Sequence, residues 1–254
     1  MEYRRAIVKQ PSVTLKDGLR ENNRGAPDYA LAMRQHAAYV AALRSCGLTV
    51  HVLAADADYP DSVFVEDTAV LTEHLAVIAR PGALSRRGET EAVAHMVAGF
   101  YGNVMHITAP GTLDGGDVLQ VGKHVYVGLS RRTNRQGIGQ FREMLAPYGY
   151  AVSGVPLRRM LHLKTGAACV GERMLVLTGE LAAQPLFQEY DIIVLGREEG
   201  YAANCLRIND RLILPAGYPS ARQKLAALGV DIIPVDTSEF RKLDGGLSCL
   251  SLRF

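Results

Sequence analysis

Reactive side chains recur at one kind of place in this 254-residue chain, the approach to a short apolar segment. "PDSVFVED" holds Asp61, Glu66 and Asp67, "LDGGDVL" holds Asp114 and Asp117, and "LHLKTG" holds His162. "AANCLRI" holds Asn204, and "LDGGLSC" holds Asp244 and Cys249. Singly, each has an ordinary explanation. A lone cysteine behaves as a small buried hydrophobe. A histidine between two leucines reads as a hydrogen-bonded core residue, and Asp117 as a partner for the backbone of its Gly-rich turn. Glu66 and Asp67 lie inside "SVFVEDTAV" and need cationic or donor partners if buried. Together these residues could run a reaction. A cysteine attacks as its thiolate, which needs a base or a cation nearby. A histidine can protonate a departing amine and then activate a water. Several carboxylates around such a pair suit a planar cation rich in N–H donors, a guanidinium.

The last eight residues, Leu247 to Phe254, alternate like a strand. Leu250, Leu252 and Phe254 would share one face, with Cys249, Ser251 and Arg253 on the other. That pattern takes the thiol off the large apolar face.

The elements that must position these groups repeat. "VIARPGALSRRGETEAVAHMVAGFYG", "VYVGLSRRTNRQGIGQFREMLAPYGY" and "LILPAGYPSARQKLAALG" each read as strand, turn, helix. The helices are predicted to end near Gly102, Gly149 and Gly229, as C-terminal caps. Short apolar strands start near Val50, Val104, Val152, Ile192 and Ile232, at a spacing typical of repeat architectures. The final unit lacks a third strand and a helix, and the N-terminal "RRAIVKQ" and "DYALAMRQHAAYVAALRSCG" supply them. The expectation is one catalytic domain of five strand–strand–strand–helix modules. They span about 49–102, 103–150, 151–190, 191–229, and 230–254 joined with 1–47. The second and third strands of each module are too close for a parallel crossover and should be hairpins. A ring closed by its own ends hides its terminal strands and brings equivalent positions to one axis.

Composition excludes other classes. The 28 basic and 26 acidic residues leave a net charge of +2, too little for a partner held by bulk charge, such as nucleic acid or an anionic membrane. With no tryptophan there is little for a base-stacking platform. "MEYRRAIVKQ" lacks the apolar core of a secretory signal, and no apolar run approaches the ~20 residues that span a bilayer. Cys46, Cys169, Cys205 and Cys249 are far apart and form no C-x-x-C pair, so neither a disulfide framework nor a thiol metal site is expected. A reducing cytoplasm is the expected compartment. Cys46, Cys169 and Cys205 are assigned to packing.

In its order of motifs the chain resembles the dimethylarginine dimethylaminohydrolase family, within the guanidino-group-modifying (pentein) superfamily. The motifs are "PDYA", "PDSVFVED", "RPGALSRRGETE", "RTN", "LHLKTG", "AANC", "PAGYP", "VDTSE" and the terminal "DGGLSCLS". The resemblance covers essentially the whole chain and implies a five-fold pseudosymmetric α/β propeller. It implies Cys249 as nucleophile and His162 as general acid and base. Asp67 and Asp114 would hold the reacting guanidinium, with Glu66 in support. Some bacterial members carry "TVEAGD" where this chain reads "TLDGGD", so the acid at Asp114 is one methylene shorter, as in mammalian members. Asp61 matches a residue at the substrate's amino-acid end, and Arg86 and Arg132 match arginines near its carboxylate. Leu19 matches a loop that closes over the site, and Leu243 and Ser248 complete the substrate-binding set. The implied reaction turns Nω-methylated arginines into citrulline and a methylamine through a covalent thiouronium on cysteine, with no cofactor and no metal. The implied partner is a small guanidino compound, and a homodimer is possible. Arginine deiminase would need a large helical insertion that this chain has no room for. Agmatine deiminase would leave Arg132 without a carboxylate. A non-catalytic binder of cationic amino acids would not need Cys249 and His162.

Overall fold

The computed structural model describes residues 2–254. Its strands, numbered in chain order, form five separate three-stranded sheets. β1 (Arg5–Lys9) pairs in parallel with β2 (Thr49–Leu53). The second sheet holds β3 (Ala69–Leu71), β4 (Ala76–Ile78) and β5 (Val104–His106). The third holds β6 (Val118–Val121), β7 (His124–Leu129) and β8 (Ala151–Pro156). The fourth holds β9 (Ala167–Cys169), β10 (Met174–Thr178) and β11 (Asp191–Leu195), and the fifth β12 (Leu206–Ile208), β13 (Arg211–Pro215) and β14 (Asp231–Val235). β15 (Leu252–Arg253) then pairs antiparallel with β1 and completes the first sheet. Every sheet has one antiparallel and one parallel pair in the same order, which makes the architecture the expected five-fold pseudosymmetric α/β propeller.

The parallel pair explains why helices are needed. A parallel partner requires a crossover, and four sheets use α1 (Tyr29–Ser45), α2 (Thr90–Ala98), α3 (Arg135–Leu145) and α4 (Pro219–Ala226) for it. The hydrogen-bonded unit is thus hairpin, helix, strand. Each sheet takes its last strand from the segment that the sequence repeat counts as the start of the next module. The crossover from β10 to β11 carries no α-helix; two 3₁₀ turns, Gly179–Leu181 and Pro185–Phe187, span it and bury Leu181 and Phe187. A fifth, single-turn helix, α5 (Ser238–Arg241), precedes the last reactive segment.

Local chemistry sets several ends. Asp28 and Asn134 cap α1 and α3, accepting from Leu31 N (2.8 Å) and Gly137 N (2.8 Å), each worth about 1 kcal/mol. Gly149 and Gly229 take the left-handed conformation expected after a helical segment. The second helix stops sooner than its pattern suggested, at Ala98, and Gly102 keeps a negative φ. The core lies as apolar clusters at the seams between neighbouring sheets and helices. One gathers Leu247, Leu250, Phe240, Tyr39 and Ile213, so residues from both ends and from the fifth sheet share it.

The closing strand is shorter than the alternation implied. Ser248–Leu250 is a 3₁₀ turn, and only Leu252–Arg253 is strand. Leu250 and Leu252 therefore enter different apolar clusters rather than sharing one face. Cys249, half-buried, packs at the edge of the first of these clusters, and a turn rather than strand alternation sets its direction.

Candidate active site

The same device precedes the first strand of every hairpin. The 3₁₀ turns Val65–Thr68, Gly115–Asp117, Leu163–Thr165, Arg197–Ala203 and Ser248–Leu250 lead toward β3, β6, β9, β12 and β15. All the reactive motifs sit on or beside these turns. Polar side chains tie them into a closed circuit. Gly116 N donates to Asp67 Oδ1 (2.9 Å), and Leu163 N to Asp117 Oδ1 (3.0 Å). Asn204 Nδ2 donates to Lys164 O (2.7 Å) and Ser248 Oγ (2.9 Å), while Ser248 N donates to Asn204 Oδ1 (2.8 Å). Ser248 Oγ then donates to Glu66 Oε2 (2.6 Å), back on the first turn. Each bond satisfies a buried polar group that would otherwise cost about 1–3 kcal/mol, so the circuit fixes the turns against one another.

Two adjoining cavities open over this ring and share His162, Asp244 and Cys249. Leu19, Asp61, Asp67, Arg86, Arg132 and Leu243 line the first; Glu66 and Asn204 are on the second. Nine of the eleven expected site residues therefore border these cavities. Of the other two, Asp114 is fully buried and meets the site through His162, and Ser248 is part of the circuit.

His162 Nε2 lies 3.0 Å from Asp114 Oδ2, and its Nδ1 lies 3.9 Å from Asp67 Oδ1. Burial opposes the imidazolium, but Asp67, Asp117 and Asp114 outweigh it and raise the pKa to about 9. Cys249 Sγ accepts from Gly246 N at 3.4 Å. Burial, with the charges of Glu66 and Asp67, pushes its thiol up to about 12, against the smaller opposing pull of Gly246 N–H and Lys164. At neutral pH the pair rests as thiol and imidazolium. Gly116 explains how an acid and the histidine come so close. A β-carbon there would lie 2.7 Å from Asp67 Oδ1 and 2.8 Å from His162 Nδ1. At Gly115 it would meet Glu66 O at 1.9 Å.

The acids differ in what already holds them. Asp67 Oδ2 takes Arg86 Nη1 at 2.5 Å, and its pKa falls to about 2 because His162 and Arg86 outweigh the burial that opposes ionisation. Asp114 accepts from Gly82 N (2.9 Å), with Arg132 Nη1 3.7 Å away. A carboxylate offers about four lone-pair directions, so Asp67, which lines the first cavity, keeps capacity for a guanidinium, whereas Asp114 is fully buried and turned to His162. Glu66 is held by Lys164 Nζ (2.6 Å) and Arg253 Nη2 (3.0 Å), the cationic partners its burial demanded. Asp67, Asp114 and His162 bring donor atoms within 4.8 Å of one another, which is metal-like spacing. Arg86 and Arg132 place two positive charges beside it, which works against a dication.

Arg86 borders the first cavity but is already heavily engaged. All three of its nitrogens are engaged, with Glu89, Asp67 and the carbonyls of Asp61 and Phe64. It underpins Asp67, while Arg132, on the same cavity, is less enclosed. Nor is Arg86 on the solvated face that an isolated arginine pair would suggest, being buried. Lys164, Glu89 and Arg253 were not singled out as site residues from sequence, and Asn204 was marked only by its place in the repeat. The signal for the two cations was present, since buried Glu66 and Asp67 required them. Cys46 and Cys205 are buried as expected, whereas Cys169 is half-buried on a cavity at the opposite side of the ring.

With this geometry in view, likeness to known proteins is decisive. A family model for eukaryotic N,N-dimethylarginine dimethylhydrolase matches residues 19–201. The N(G),N(G)-dimethylarginine dimethylaminohydrolase of Pseudomonas aeruginosa is 49% identical over 253 residues, 99% of this chain and 100% of that protein. The chain belongs to the dimethylarginine dimethylaminohydrolase family. Among solved structures of the family, a cysteine-to-serine mutant of the P. aeruginosa enzyme complexed with citrulline superposes with a TM-score of 0.99 at 48% identity, covering 100% of both chains. A histidine-to-glycine variant of a dimethylarginine dimethylaminohydrolase, as an adduct with S-methyl-L-thiocitrulline, gives 0.97 at 48% identity, covering 99% of this chain and 100% of that one. No helix among the described residues is long and apolar enough to cross a membrane.

Proposed function

We propose that this protein hydrolyses Nω-methylated arginines to citrulline and dimethylamine or methylamine, through a covalent adduct on Cys249. The observation that carries this reading is the meeting of Cys249 and His162 with Asp67 at one enclosed cavity. A bound guanidinium adds positive charge beside a thiol that is otherwise protonated, and so favours its thiolate. The thiolate attacks the guanidinium carbon while Asp67 takes its N–H groups and Asp114 holds the His162 imidazolium in place. The C–N bond to the methylated amine breaks as the His162 imidazolium protonates the departing nitrogen. This leaves an S-alkylthiouronium and a neutral imidazole. His162 then takes a proton from water, the hydroxide adds to the same carbon, and the C–S bond breaks. Citrulline leaves as the adduct's hydroxyl proton passes to solvent, restoring thiolate and imidazolium; with the cation gone, the thiolate takes back from solvent the proton it lost on binding. Arg132 and Asp61 address the substrate carboxylate and amine, with Leu19 and Leu243 enclosing its stem.

The experiment is citrulline release from asymmetric dimethylarginine, monomethylarginine, arginine and agmatine, by wild type and Cys249→Ser side by side. Turnover of the methylated arginines, lost in the variant, is expected. A higher kcat/KM on arginine or agmatine than on either methylated substrate would move the protein to a deiminase. Binding without turnover would make it a receptor. The four unpaired thiols support a cytoplasmic setting, and the small net charge supports a small-molecule partner rather than nucleic acid or membrane. A homodimer is the remaining expectation, checked by sedimentation velocity.

A further inference from the structure

Asp244 is one of two non-glycine residues among those described with a positive φ, at +59°. Holding a β-carbon in that region costs of order 1 kcal/mol or more, and such strain persists where the surroundings use it. Asp244 lies between Leu243 and Gly245, both buried, on the turn that leads to Cys249, and it borders both cavities. Its own carboxylate, however, reaches across the cavity mouth to residues more than 220 positions away. Oδ2 accepts from Glu21 N (2.6 Å) and Asn22 N (3.3 Å), and Oδ1 from Asn22 Nδ2 (2.7 Å). The recipient segment, 19–26, is exposed throughout and contains no helix or strand. Leu19, at its start, lines the first cavity. Only a few side chains pin this strap. Asp61 accepts from Leu19 N at 3.0 and 3.1 Å, and Arg131 pairs with Glu21. From the turn that leads to Cys249, Lys242 Nζ donates to Ala26 O at the strap's end (3.3 Å), and Asp244 holds its middle with three bonds.

We infer that Asp244 is a positioning residue that latches the 19–26 strap over the cavity, with its left-handed backbone aiming the carboxylate at the strap's amides. The latch encloses the substrate's amino-acid end and takes no part in bond making. Two readouts test it, and only the kinetic one rests on the functional reading above. In Asp244→Ala, hydrogen exchange at the amides of Glu21 and Asn22 should quicken by about tenfold or more. KM for dimethylarginine should rise about tenfold, with kcat within about threefold. Asp244→Asn, which keeps an acceptor oxygen, should recover most of both. Asp244→Gly removes the strained β-carbon as well as the latch, so it should show the alanine defect with undiminished thermal stability. Unchanged strap exchange in Asp244→Ala overturns the inference. So does a KM increase that asparagine fails to rescue. If wild type releases no citrulline from any guanidino compound while Asp244→Ala still frees the strap, the functional reading falls and the latch stands.

Discussion

His162 and Cys249 rest with both protons in place, and this decides how the site responds to pH. The imidazolium is present below about 9 and lost above it, so the general acid is available through neutral pH. The thiol, pushed up to about 12, yields little thiolate in the empty site below that value. Alkylation of free Cys249 by neutral iodoacetamide should therefore be slow at pH 7 and climb through the alkaline range. At fixed pH, a substrate-sized guanidinium that does not react should change the thiol's ionisation, read by thiolate absorbance near 240 nm. In turnover, kcat/KM should fall as pH rises above about 9, as the acid is lost. Gly116 makes a second residue-scale test. In Gly116→Ala, a methyl would push apart Asp67 and His162, and a displacement of about 1 Å can cost about a hundredfold in rate. Steady-state kinetics beside a denaturant titration would separate that loss from instability.

At the scale of elements, the five turns work as one circuit, and Asn204 is where the fourth and fifth are joined. Asn204→Ala would leave Lys164 O and Ser248 N without their buried partners, a cost of about 3 kcal/mol in urea unfolding. Because Ser248 also braces Glu66, the loss should not add simply with Ser248→Ala, and a double-mutant cycle would show it. This scale also shows what could be read from the sequence. Strand starts such as Val104 and Ile192 were legible because short β-branched runs and glycine punctuation are local properties. The convergence of Asp67, Asp114, His162 and Cys249 was legible because the repeat places them at one recurring position. The 3₁₀ turns were not, since their i→i+3 bonds leave no hydrophobic period; the alternation of Leu250 and Leu252 imitated a strand for that reason. The bonds of Arg86 to Glu89 and to two carbonyls were not legible, because they are set by tertiary packing. The missing helix between β10 and β11 went unseen for the same reason, as Leu181 and Phe187 bury from turns.

For the whole molecule, the central fact is a sheet made from both ends. Arg4 N and Arg5 N donate to Phe254 O at 2.9 and 2.7 Å, and Tyr39 Oη meets Ser251 Oγ at 2.7 Å. Deleting Ser251–Phe254 would strip β1 of a partner, expose apolar surface and free the turn that carries Cys249. The shortened chain should lose cooperative thermal unfolding as well as turnover. The seam itself should be movable. A chain with its ends linked by a short flexible peptide, and new ends at the exposed β6–β7 turn beside Gly122, should fold and retain activity. A permuted chain that folded without turnover would show that the position of the ends matters for more than closure.

The resting protonation of Cys249 also bears on chemical durability. Peroxides oxidise thiolates far faster than thiols, and the first product, a sulfenic acid, is the gateway to irreversible damage. A nucleophile that ionises only beside a bound cation is shielded during the idle part of its cycle. Wear from oxidants should then track occupancy of the site and not the age of the protein.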